Sequence, residues 1–277
     1  MTGQLPVLVT GSSSGIGRAA ALALARAGIP TWASARRVEA LGDLAAAGCH
    51  VIELDVADED SRTRAVGTIE AQHGGIGALV NNAGYAQAGP VEEVSLDMLE
   101  RQFATNLFGA IRLCQLVLPA MRAHGQGTIV NVGSTGGLIG VPGSSAYDMT
   151  KWSLEAFSDA LRCEVRHFGI RVILLEPGGV ATNFAQTQLG TWPESDDSPY
   201  AQFRANHHRR ISHATRPGAP GISTADKVAG VVVKAVTARK PKARYKIGVA
   251  ARVMPRLYRG LPNRVWDRLM ARMFPME

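Results

Sequence analysis

Three side chains that can hold or move a proton lie close together in the middle of the sequence. Tyr147 and Lys151 are four residues apart in a stretch with helical periodicity, which places them on one face of a helix. Ser134 ends the apolar run IVNVGS, thirteen residues before Tyr147. A phenol with a pKa of about 10 is a poor base at neutral pH, but a neighbouring ammonium group favours its phenolate form. The trio predicts acid–base chemistry on an oxygen bound by the serine, although an isolated YxxxK also occurs by chance.

A glycine-rich turn near the amino terminus is the second candidate site. The first apolar run ends in TGSSSGIG, residues 10–17, and a helical stretch follows at once. Glycines here let the backbone approach a pyrophosphate, whose charge then lies on the amide groups at the helix N-terminus. A plain strand-to-helix turn is one alternative. The residues also satisfy GxSxG, with Ser13 as an esterase nucleophile, but only ten residues precede them, too few for an oxyanion loop.

The residues after the second apolar run bear on the choice of cofactor. An acidic side chain about 20 positions past the glycines would bind the ribose 2′-hydroxyl of NAD, whereas arginine accommodates the 2′-phosphate of NADP. This sequence has Ala35, Arg36 and Arg37 there, so it favours NADP(H). A solvated arginine pair is the alternative. Asp55 and Val56, after the third run, could hold an adenine edge through a carboxylate and a backbone amide.

These residues need a scaffold, and the pattern of apolar runs predicts one. Short β-branched runs alternate with helical stretches, which is typical of a parallel sheet covered by helices. We therefore predict a doubly wound, Rossmann-type α/β fold with a mostly parallel seven-stranded sheet and helices on both faces. The predicted strands are 5–10, 29–35, 50–54, 77–81, 127–133, 170–176 and 244–248, and the predicted helices are 16–28, 38–47, 58–73, 95–123, 145–169 and 224–239.

Length and composition are consistent with this fold. The 277 residues, 46% of them hydrophobic, fit one catalytic domain over residues 1–250, with an extension over 251–277. Residues 185–223 contain Pro193, Pro199, Pro217 and Pro220 in a polar stretch, and we predict a mobile lid there. The amino terminus lacks a signal-peptide pattern, and no uninterrupted apolar run approaches the length of a membrane span. The three cysteines are isolated, which predicts neither disulfides nor a metal site and favours a cytoplasmic protein.

In their order and spacing, these motifs together resemble the short-chain dehydrogenase/reductase family in its single-domain soluble form, over about residues 5–250. Asn81-Asn82-Ala83-Gly84, Asn106 and Pro177-Gly178 complete the pattern. The resemblance implies a catalytic set of Asn106, Ser134, Tyr147 and Lys151, with Asn106 anchoring a proton-relay water. It implies that the cofactor contacts Thr10, Gly11, Ser12, Ser13, Gly15, Ile16, Gly17, Arg36, Arg37, Asp55, Val56, Asn82, Ala83, Gly84, Tyr147, Lys151, Pro177, Gly178, Val180 and Thr182.

Two positions depart from the family pattern. Asp148 and Met149 stand where small residues are more usual, and Ser14 replaces a basic residue that some NADP-using members place before their second glycine. Neither departure touches the catalytic set. The second one leaves the NADP preference dependent on Arg36 and Arg37.

The resemblance implies an NADP(H)-dependent carbonyl reductase or alcohol dehydrogenase. Apolar residues after Ser134, together with Phe184, predict a pocket for a lipophilic ketone, aldehyde or alcohol: Leu138, Ile139, Val141 and Pro142. A cofactor-binding regulatory protein, or an epimerase or dehydratase on the same scaffold, is the alternative. His207, His208, Arg209 and Arg210 could meet an acidic substrate, but we expect a solvated basic turn. We also expect a homo-oligomer, either a dimer or a tetramer.

The carboxyl-terminal extension carries the basic charge of the protein. From Arg239 onward there are 11 Lys and Arg against two acidic residues, whereas the preceding 238 residues carry 19 basic and 21 acidic side chains. Within 264–274, an apolar helical stripe includes Trp266, Met270 and Phe274. We expect this stripe to cover the cleft or to pack on the protein or a neighbouring subunit. Docking on an anionic membrane is the alternative, and nucleic acid is not expected as a partner.

Overall fold

The β-branched runs of the sequence form the strands of one central sheet, whose two faces are covered by helices, as parallel sheets require. The computed structural model describes residues 4–193, 197–216 and 218–276. In chain order its strands are β1 (Val7–Val9), β2 (Thr31–Ala35), β3 (His50–Glu53), β4 (Ala78–Asn81), β5 (Gly127–Val132), β6 (Ile170–Pro177), β7 (Val180–Ala181), β8 (Ser223–Thr224) and β9 (Arg244–Ile247).

Seven of these strands form the central sheet in the order β3-β2-β1-β4-β5-β6-β9, while β7 and β8 form a separate parallel pair. Each neighbouring pair in the central sheet is parallel. The strand order reverses direction between β1 and β4, and ligands of such sheets bind beyond the strand carboxyl ends at this point. The predicted seven-stranded, doubly wound fold is confirmed.

Helices cover both faces of the sheet. In chain order they are α1 (Gly15–Arg26), α2 (Gly42–Ala46), α3 (Glu59–His73), α4 (Leu96–Phe103), α5 (Gly109–Ala123), α6 (Ser145–Val165), α7 (Phe184–Leu189), α8 (Ala201–Ala214), α9 (Ala225–Thr237), α10 (Ala250–Gly260) and α11 (Asn263–Met273). Leu24 of α1 and Val228 and Val232 of α9 are buried against one face of the sheet. Leu113 of α5 and Leu161 of α6 are buried in the core on the other face. Helices α1, α5, α6 and α9 therefore bury an apolar stripe on the sheet.

The helix predicted over 95–123 is interrupted in its middle. One turn of π-helix, Ala104–Phe108, joins α4 to α5. Single π-turns are uncommon and often lie at functional sites. This turn contains Asn106. The whole segment Leu96–Ala123 is long and apolar enough to span a membrane by length and composition, but Leu113 and Val117 of α5 belong to the core beside the sheet.

The segment predicted to be a mobile lid contains two helices that the sequence-based helix bounds do not include. Helix α7 begins at Phe184, and α8 spans Ala201–Ala214. Phe203 of α8 is 1% exposed. Among the described residues of α8, Phe203 and His207 are the buried ones, and an apolar count of the sequence overlooks the histidine. Residues 194–196 and Pro217 of the predicted lid lie outside the described residues.

The carboxyl-terminal extension forms two helices, α10 and α11, and packs on its own chain. Trp266, Met270 and Phe274 are buried in one cluster with Trp192 and Phe203 of the lid segment. Tyr258 of α10 contacts Trp266 edge-on, with ring centroids 5.1 Å apart. The structure thus agrees with the expectation that α11 buries its apolar stripe in protein.

Candidate active site

The turn after β1 is shaped by two glycines that no other residue could replace without strain. Gly11 has φ +68°, and a Cβ there would lie 2.7 Å from Ala83 Cα. A Cβ on Gly17 would lie 2.3 Å from the Gly11 carbonyl oxygen. Helix α1 then starts at Gly15 with neither an acidic residue in its first turn nor a side-chain cap on its amide groups. The backbone therefore presents free amide groups and a positive dipole end, which is the donor set that a pyrophosphate needs.

The turn is held from below by the loop after β4. The Thr10 hydroxyl accepts hydrogen bonds from the amide groups of Asn82 and Ala83, each at 2.9 Å. The Asn82 side-chain amide donates to the carbonyl oxygens of Thr10 at 2.9 Å and Gly11 at 3.2 Å. Ser12 is buried and donates to the Val9 carbonyl oxygen at 3.0 Å. Because these bonds fix the backbone, the predicted cofactor residues of the two loops form one rigid unit.

The predicted 2′-phosphate and adenine residues lie beyond the next two strands. Arg36 and Arg37 follow β2 and are both exposed, and within the described residues no carboxylate forms an ion pair with either of them. Asp55 follows β3 and accepts a hydrogen bond from the Ala57 amide at 2.9 Å through Oδ1, next to the buried Val56. All four predicted residues therefore lie at the carboxyl edge of the sheet, on the β1–β3 side.

Tyr147 and Ser134 form a hydrogen-bonded pair at the same edge. Burial raises the pKa of the Tyr147 hydroxyl above its ordinary value, the hydrogen bond to Ser134 lowers it, and the charge of Asp148 raises it. Ser134 Oγ also accepts from the Gly136 amide at 3.1 Å, which fixes the position of the hydroxyl. Burial has the largest of these three effects on the pKa of Tyr147. The predicted lowering of this pKa therefore does not arise from the chain alone.

Lys151 lies one helical turn beyond Tyr147. Its Nζ is 5.6 Å from the centroid of the Tyr147 ring and donates to the Val132 carbonyl oxygen at 2.8 Å. Burial lowers the pKa of Lys151 to about 8, while the charge of Glu155 raises it. The ammonium group is thus anchored beside the tyrosine and loses its proton more readily than an exposed lysine.

Asn106 completes the predicted catalytic set from the π-turn. Its Nδ2 donates to the Tyr85 carbonyl oxygen at 2.8 Å, and its Oδ1 accepts from the Tyr85 amide at 3.1 Å. A longer bond of 3.4 Å joins Nδ2 to the hydroxyl of Thr150, which lies next to Lys151 in α6. The side chain is therefore committed to the protein. The predicted water would therefore have to be held by the Asn106 backbone, and this role stays a prediction.

Comparison with known proteins assigns the chain to a family. The family model described as short chain dehydrogenase matches residues 6–191. The chain belongs to the short-chain dehydrogenase/reductase family. The oxidoreductase YbbO of Escherichia coli K12 is 36% identical over 273 residues, covering 96% of this chain and 94% of its own. Retinol dehydrogenase 8 of Bos taurus is 35% identical over 256 residues, covering 86% of this chain and 80% of its own.

A solved structure supports the same assignment. Serine dehydrogenase, in its closed form complexed with NADP+, superimposes with a TM-score of 0.76 at 26% identity, covering 89% of this chain and 95% of that one. The protein is therefore a short-chain dehydrogenase/reductase oxidoreductase with a site for a nicotinamide cofactor. The tight glycine turn and the uncapped start of α1 fit the pyrophosphate of that group.

The loop after β6 contains the last of the residues predicted to contact the cofactor of this short-chain dehydrogenase, Gly178, Val180 and Thr182. The Gly178 amide donates to the Ile247 carbonyl oxygen at 2.9 Å, and the Thr135 hydroxyl donates to the Pro177 carbonyl oxygen at 3.2 Å. Val180 pairs with Ser223 in the β7–β8 pair. A Cβ on Gly15 would lie 3.4 Å from Thr182 Cγ2, so this loop meets the phosphate turn directly. The structure therefore brings the predicted cofactor segments into contact.

Apolar side chains lie beside the reacting residues. The Phe184 ring meets the Tyr147 ring edge-on, with centroids 5.6 Å apart. Leu138 and Ile139 are buried, and Ile139 packs with Trp192 of the lid segment. Val141 and Pro142 are half-buried. Of the residues predicted to form the substrate pocket, Phe184 contacts Tyr147 directly, and the others lie in the loop after Ser134.

Two residues outside the predicted set shape this site. Asp148 is 5% exposed and accepts a hydrogen bond from the Val141 amide at 2.7 Å, which ties the loop after Ser134 to the catalytic helix. Burial raises its pKa to about 8. Glu155 is buried one helical turn beyond Lys151. The departure of Asp148 from the family pattern is the feature of the sequence that could have indicated its role in the site. For Glu155, the one such feature is its helical spacing from Lys151.

His207 corrects one sequence-based expectation. It is fully buried in α8, between the rings of Trp192 at 5.2 Å and Phe274 at 5.7 Å, so it is not part of a solvated basic turn. Burial lowers its pKa to about 4. His207 therefore belongs to the interior of the lid segment, whereas Arg209 is exposed.

Proposed function

We propose that this protein interconverts a lipophilic ketone or aldehyde and the corresponding alcohol, with NADP(H) as the cofactor and Tyr147 as the general acid and base. The observation that carries the proposal is the juxtaposition of three side chains: Ser134 interacts with the Tyr147 hydroxyl, and Lys151 Nζ lies 5.6 Å from the centroid of the tyrosine ring. A carbonyl oxygen bound between the two hydroxyl groups would be held where a proton is available.

The side chains would divide the work as follows. When bound, the nicotinamide supplies or accepts the hydride. Ser134 would donate a hydrogen bond to the substrate oxygen and stabilise the negative charge that develops there. Tyr147 would donate its proton to that oxygen in reduction and accept it in oxidation, and Lys151 favours the phenolate by its charge. Asn106 would hold the water through which the proton is replaced.

NADP(H) is favoured by the exposed, unpaired guanidinium groups of Arg36 and Arg37. They follow β2 at the position where a carboxylate would repel a 2′-phosphate. The NADP+ bound by the related serine dehydrogenase is consistent with this preference. It does not by itself decide between NADP and NAD for this chain, so the proposal depends on the two arginines.

A lipophilic substrate is favoured by the side chains around the reacting hydroxyl groups. Phe184, Leu138 and Ile139 provide apolar surface, and burial of apolar area stabilises binding by about 25 cal/mol per Å². The name of the relative retinol dehydrogenase 8 points to a substrate of the same polarity. A charged sugar or amino acid would lose its hydration beside these side chains without gaining a partner.

The experiment is a panel of ketones, aldehydes and alcohols of increasing length, followed by NADPH absorbance with purified wild type. We expect turnover of long-chain or polycyclic carbonyls. Tyr147→Phe should lower kcat/KM by about 10²- to 10⁴-fold, because only the proton donor is lost, while the Kd for NADPH stays unchanged. Tyr245→Phe, on β9, is the matched control and should keep full activity.

Two results would overturn this function. Full activity of Tyr147→Phe would reject the mechanism. A wild type that binds NADPH but reduces or oxidises nothing in the panel would favour a cofactor-binding regulator, and conversion of an alcohol substrate without net NADPH change would favour an epimerase or dehydratase.

A further inference from the structure

A cluster of charged side chains lies directly behind the catalytic lysine. Glu155 follows Lys151 by four residues on α6, so the two side chains are neighbours on one helix face. Glu155 is 7% exposed and packs beneath the turn after Ser134, since a Cβ on Gly137 would lie 3.1 Å from Glu155 Cγ. Its carboxylate is thus enclosed by the catalytic helix and the serine turn.

Arg244 joins this carboxylate to two others. From β9 its guanidinium group forms ion pairs with Glu155 Oε2, with Glu176 Oε1 at 2.5 Å and with Asp159 Oδ2 at 2.6 Å. Glu176 is fully buried in β6, immediately before the Pro177 loop. One arginine therefore connects helix α6 to strand β6, which leads into the loop with Gly178, Val180 and Thr182.

The charges of the cluster balance only as a whole. Glu155, Asp159 and Glu176 face Lys151 and Arg244, and Arg162 pairs with the far oxygen of Asp159 at 2.5 Å. Burial raises the pKa of Glu155 to about 7, Arg244 lowers it, and Glu176 and Asp159 raise it. Glu155 is consequently close to taking up a proton, and Arg244 opposes that uptake.

One carboxylate oxygen of Glu155 is left without a hydrogen-bond partner. Oε1 is buried and makes no hydrogen bond within the described residues. A carboxylate that served only as an ion-pair partner for Arg244 would gain by having both oxygens bonded. Glu155 is also the one charged group that opposes, among the described residues, the effect of burial on Lys151. Its negative charge therefore acts on the lysine.

We propose that Glu155, held by Arg244, is a positioning residue that keeps Lys151 in its charged form. The inference rests on the proposed role of Lys151 in the reaction. Loss of the Glu155 charge would leave the buried ammonium group without its counter-charge, so that it gives up its proton at lower pH. The phenolate of Tyr147 would then lose the positive charge beside it.

The test measures Lys151 directly and needs no substrate. Lys151 is the only lysine before residue 227, and its side chain is far more buried than the others, so ¹³C labelling of lysine resolves it by NMR. Its signal is assigned by its absence in Lys151→Met. In the full-length protein, Glu155→Gln should shift the Lys151 titration to lower pH by about one unit or more, because a nearby opposite charge shifts a pKa by about 1 to 3 units.

Asp159→Asn is the matched control. This substitution removes the same charge from the same helix, and Asp159 pairs with the same arginine as Glu155 does. Because Asp159 lies eight residues from Lys151, its replacement should leave the Lys151 titration unchanged. Arg244→Met should shift the titration in the same direction as Glu155→Gln, and Arg244→Lys should restore it. An unchanged Lys151 titration in Glu155→Gln, or an equal shift in Asp159→Asn, would overturn the proposal, and neither result depends on whether the substrate has been found.

With an active substrate, a kinetic measurement separates positioning from simple structural support. Glu155→Gln should move the rising limb of the pH dependence of kcat for alcohol oxidation, which follows deprotonation of Tyr147, to higher pH while leaving KM unchanged. A variant that only loses thermal stability, with the wild-type pH profile and the wild-type Lys151 titration, would show that Glu155 is structural.

Discussion

At the scale of single residues, this active site depends on neighbours that favour one protonation state. Tyr147 is half-buried and interacts with Ser134, and Lys151 donates a hydrogen bond to the Val132 carbonyl oxygen. Burial raises the pKa of the tyrosine and lowers that of the lysine. In the proposed reduction, the protonated tyrosine would donate its proton to the substrate oxygen, and the charge of Lys151 would stabilise the phenolate that remains.

Cofactor choice is decided at the same scale. Replacing Arg36 and Arg37 together by Ala should raise the Kd for NADPH by about 10- to 100-fold, since charge-assisted hydrogen bonds to the 2′-phosphate are lost, and should leave the Kd for NADH unchanged. Fluorescence titration of both cofactors measures the two constants. Arg26→Ala, at the far end of α1, is the control. Equal wild-type affinities for NADPH and NADH would contradict the proposed preference for NADPH.

The candidate residues of the site could be named from the sequence, but the bonds between them could not. Tyr147 and Lys151 stand out by their helical spacing and Ser134 by its place at a strand end, whereas Thr10 and Asn82 were named through the resemblance to the family. The bond from Asp148 to the Val141 amide and the ion pairs of Arg244 were not, because they join segments whose approach depends on the packed tertiary structure. Side-chain spacing predicts residues on one element, whereas bonds between elements need the fold.

At the scale of elements, the limits of the periodic pattern are visible in two helices. The strands and most helices lie within a few residues of their predicted bounds, since apolar periodicity reports which face is buried. The π-turn at Ala104–Phe108 adds one residue to a single turn, which no periodicity over a few turns resolves. Helix α8 escaped prediction because Phe203 and His207 form its buried stripe, and a histidine counts as polar in such a pattern.

The buried His207 makes the packing of α8 sensitive to pH. Its pKa of about 4 in the folded protein is below that of an exposed histidine, so the unfolded chain binds the proton first as pH falls. Stability is therefore fully present above about pH 6.5 and decreases between about pH 6.5 and 4. From pH 7 to pH 5 this residue should lower the free energy of unfolding by about 2 kcal/mol.

Urea denaturation at the two pH values measures this contribution. His207→Leu keeps a side chain of similar size without the titrating ring, so its loss of stability between pH 7 and pH 5 should be about 2 kcal/mol smaller than that of the wild type. His213→Leu replaces an exposed histidine of the same helix and should behave as the wild type does. Identical pH dependence in all three proteins would contradict burial of a neutral ring at position 207.

At the scale of the whole molecule, charge and apolar surface are distributed unevenly. The basic excess lies after residue 238, on β9, α10 and α11. The apolar stripe of α11 faces the lid segment and is not available to a membrane, because Trp266 and Phe274 are each 6% exposed. Helix α10 differs: Val249, Val253 and Leu257 are exposed on one face, together with Arg252 and Arg256.

This exposed face of α10 leads to the last prediction. Arginines mixed with apolar side chains are typical of helices that lie at the surface of anionic bilayers. We expect the full-length protein to co-sediment with phosphatidylserine-containing vesicles at low salt and to be released at high salt, where the charges are screened. Replacing Arg252, Arg256 and Arg259 by Gln should weaken binding by about 100-fold, because each arginine near such a surface contributes a factor of about 5.

Replacing the exposed Arg26, Arg64 and Arg166 instead removes the same charge from other parts of the chain and should have little effect. Equal losses in the two triple variants would mean that net charge, rather than the α10 face, attracts the vesicles, and the absence of binding at low salt would exclude a membrane contact by this face.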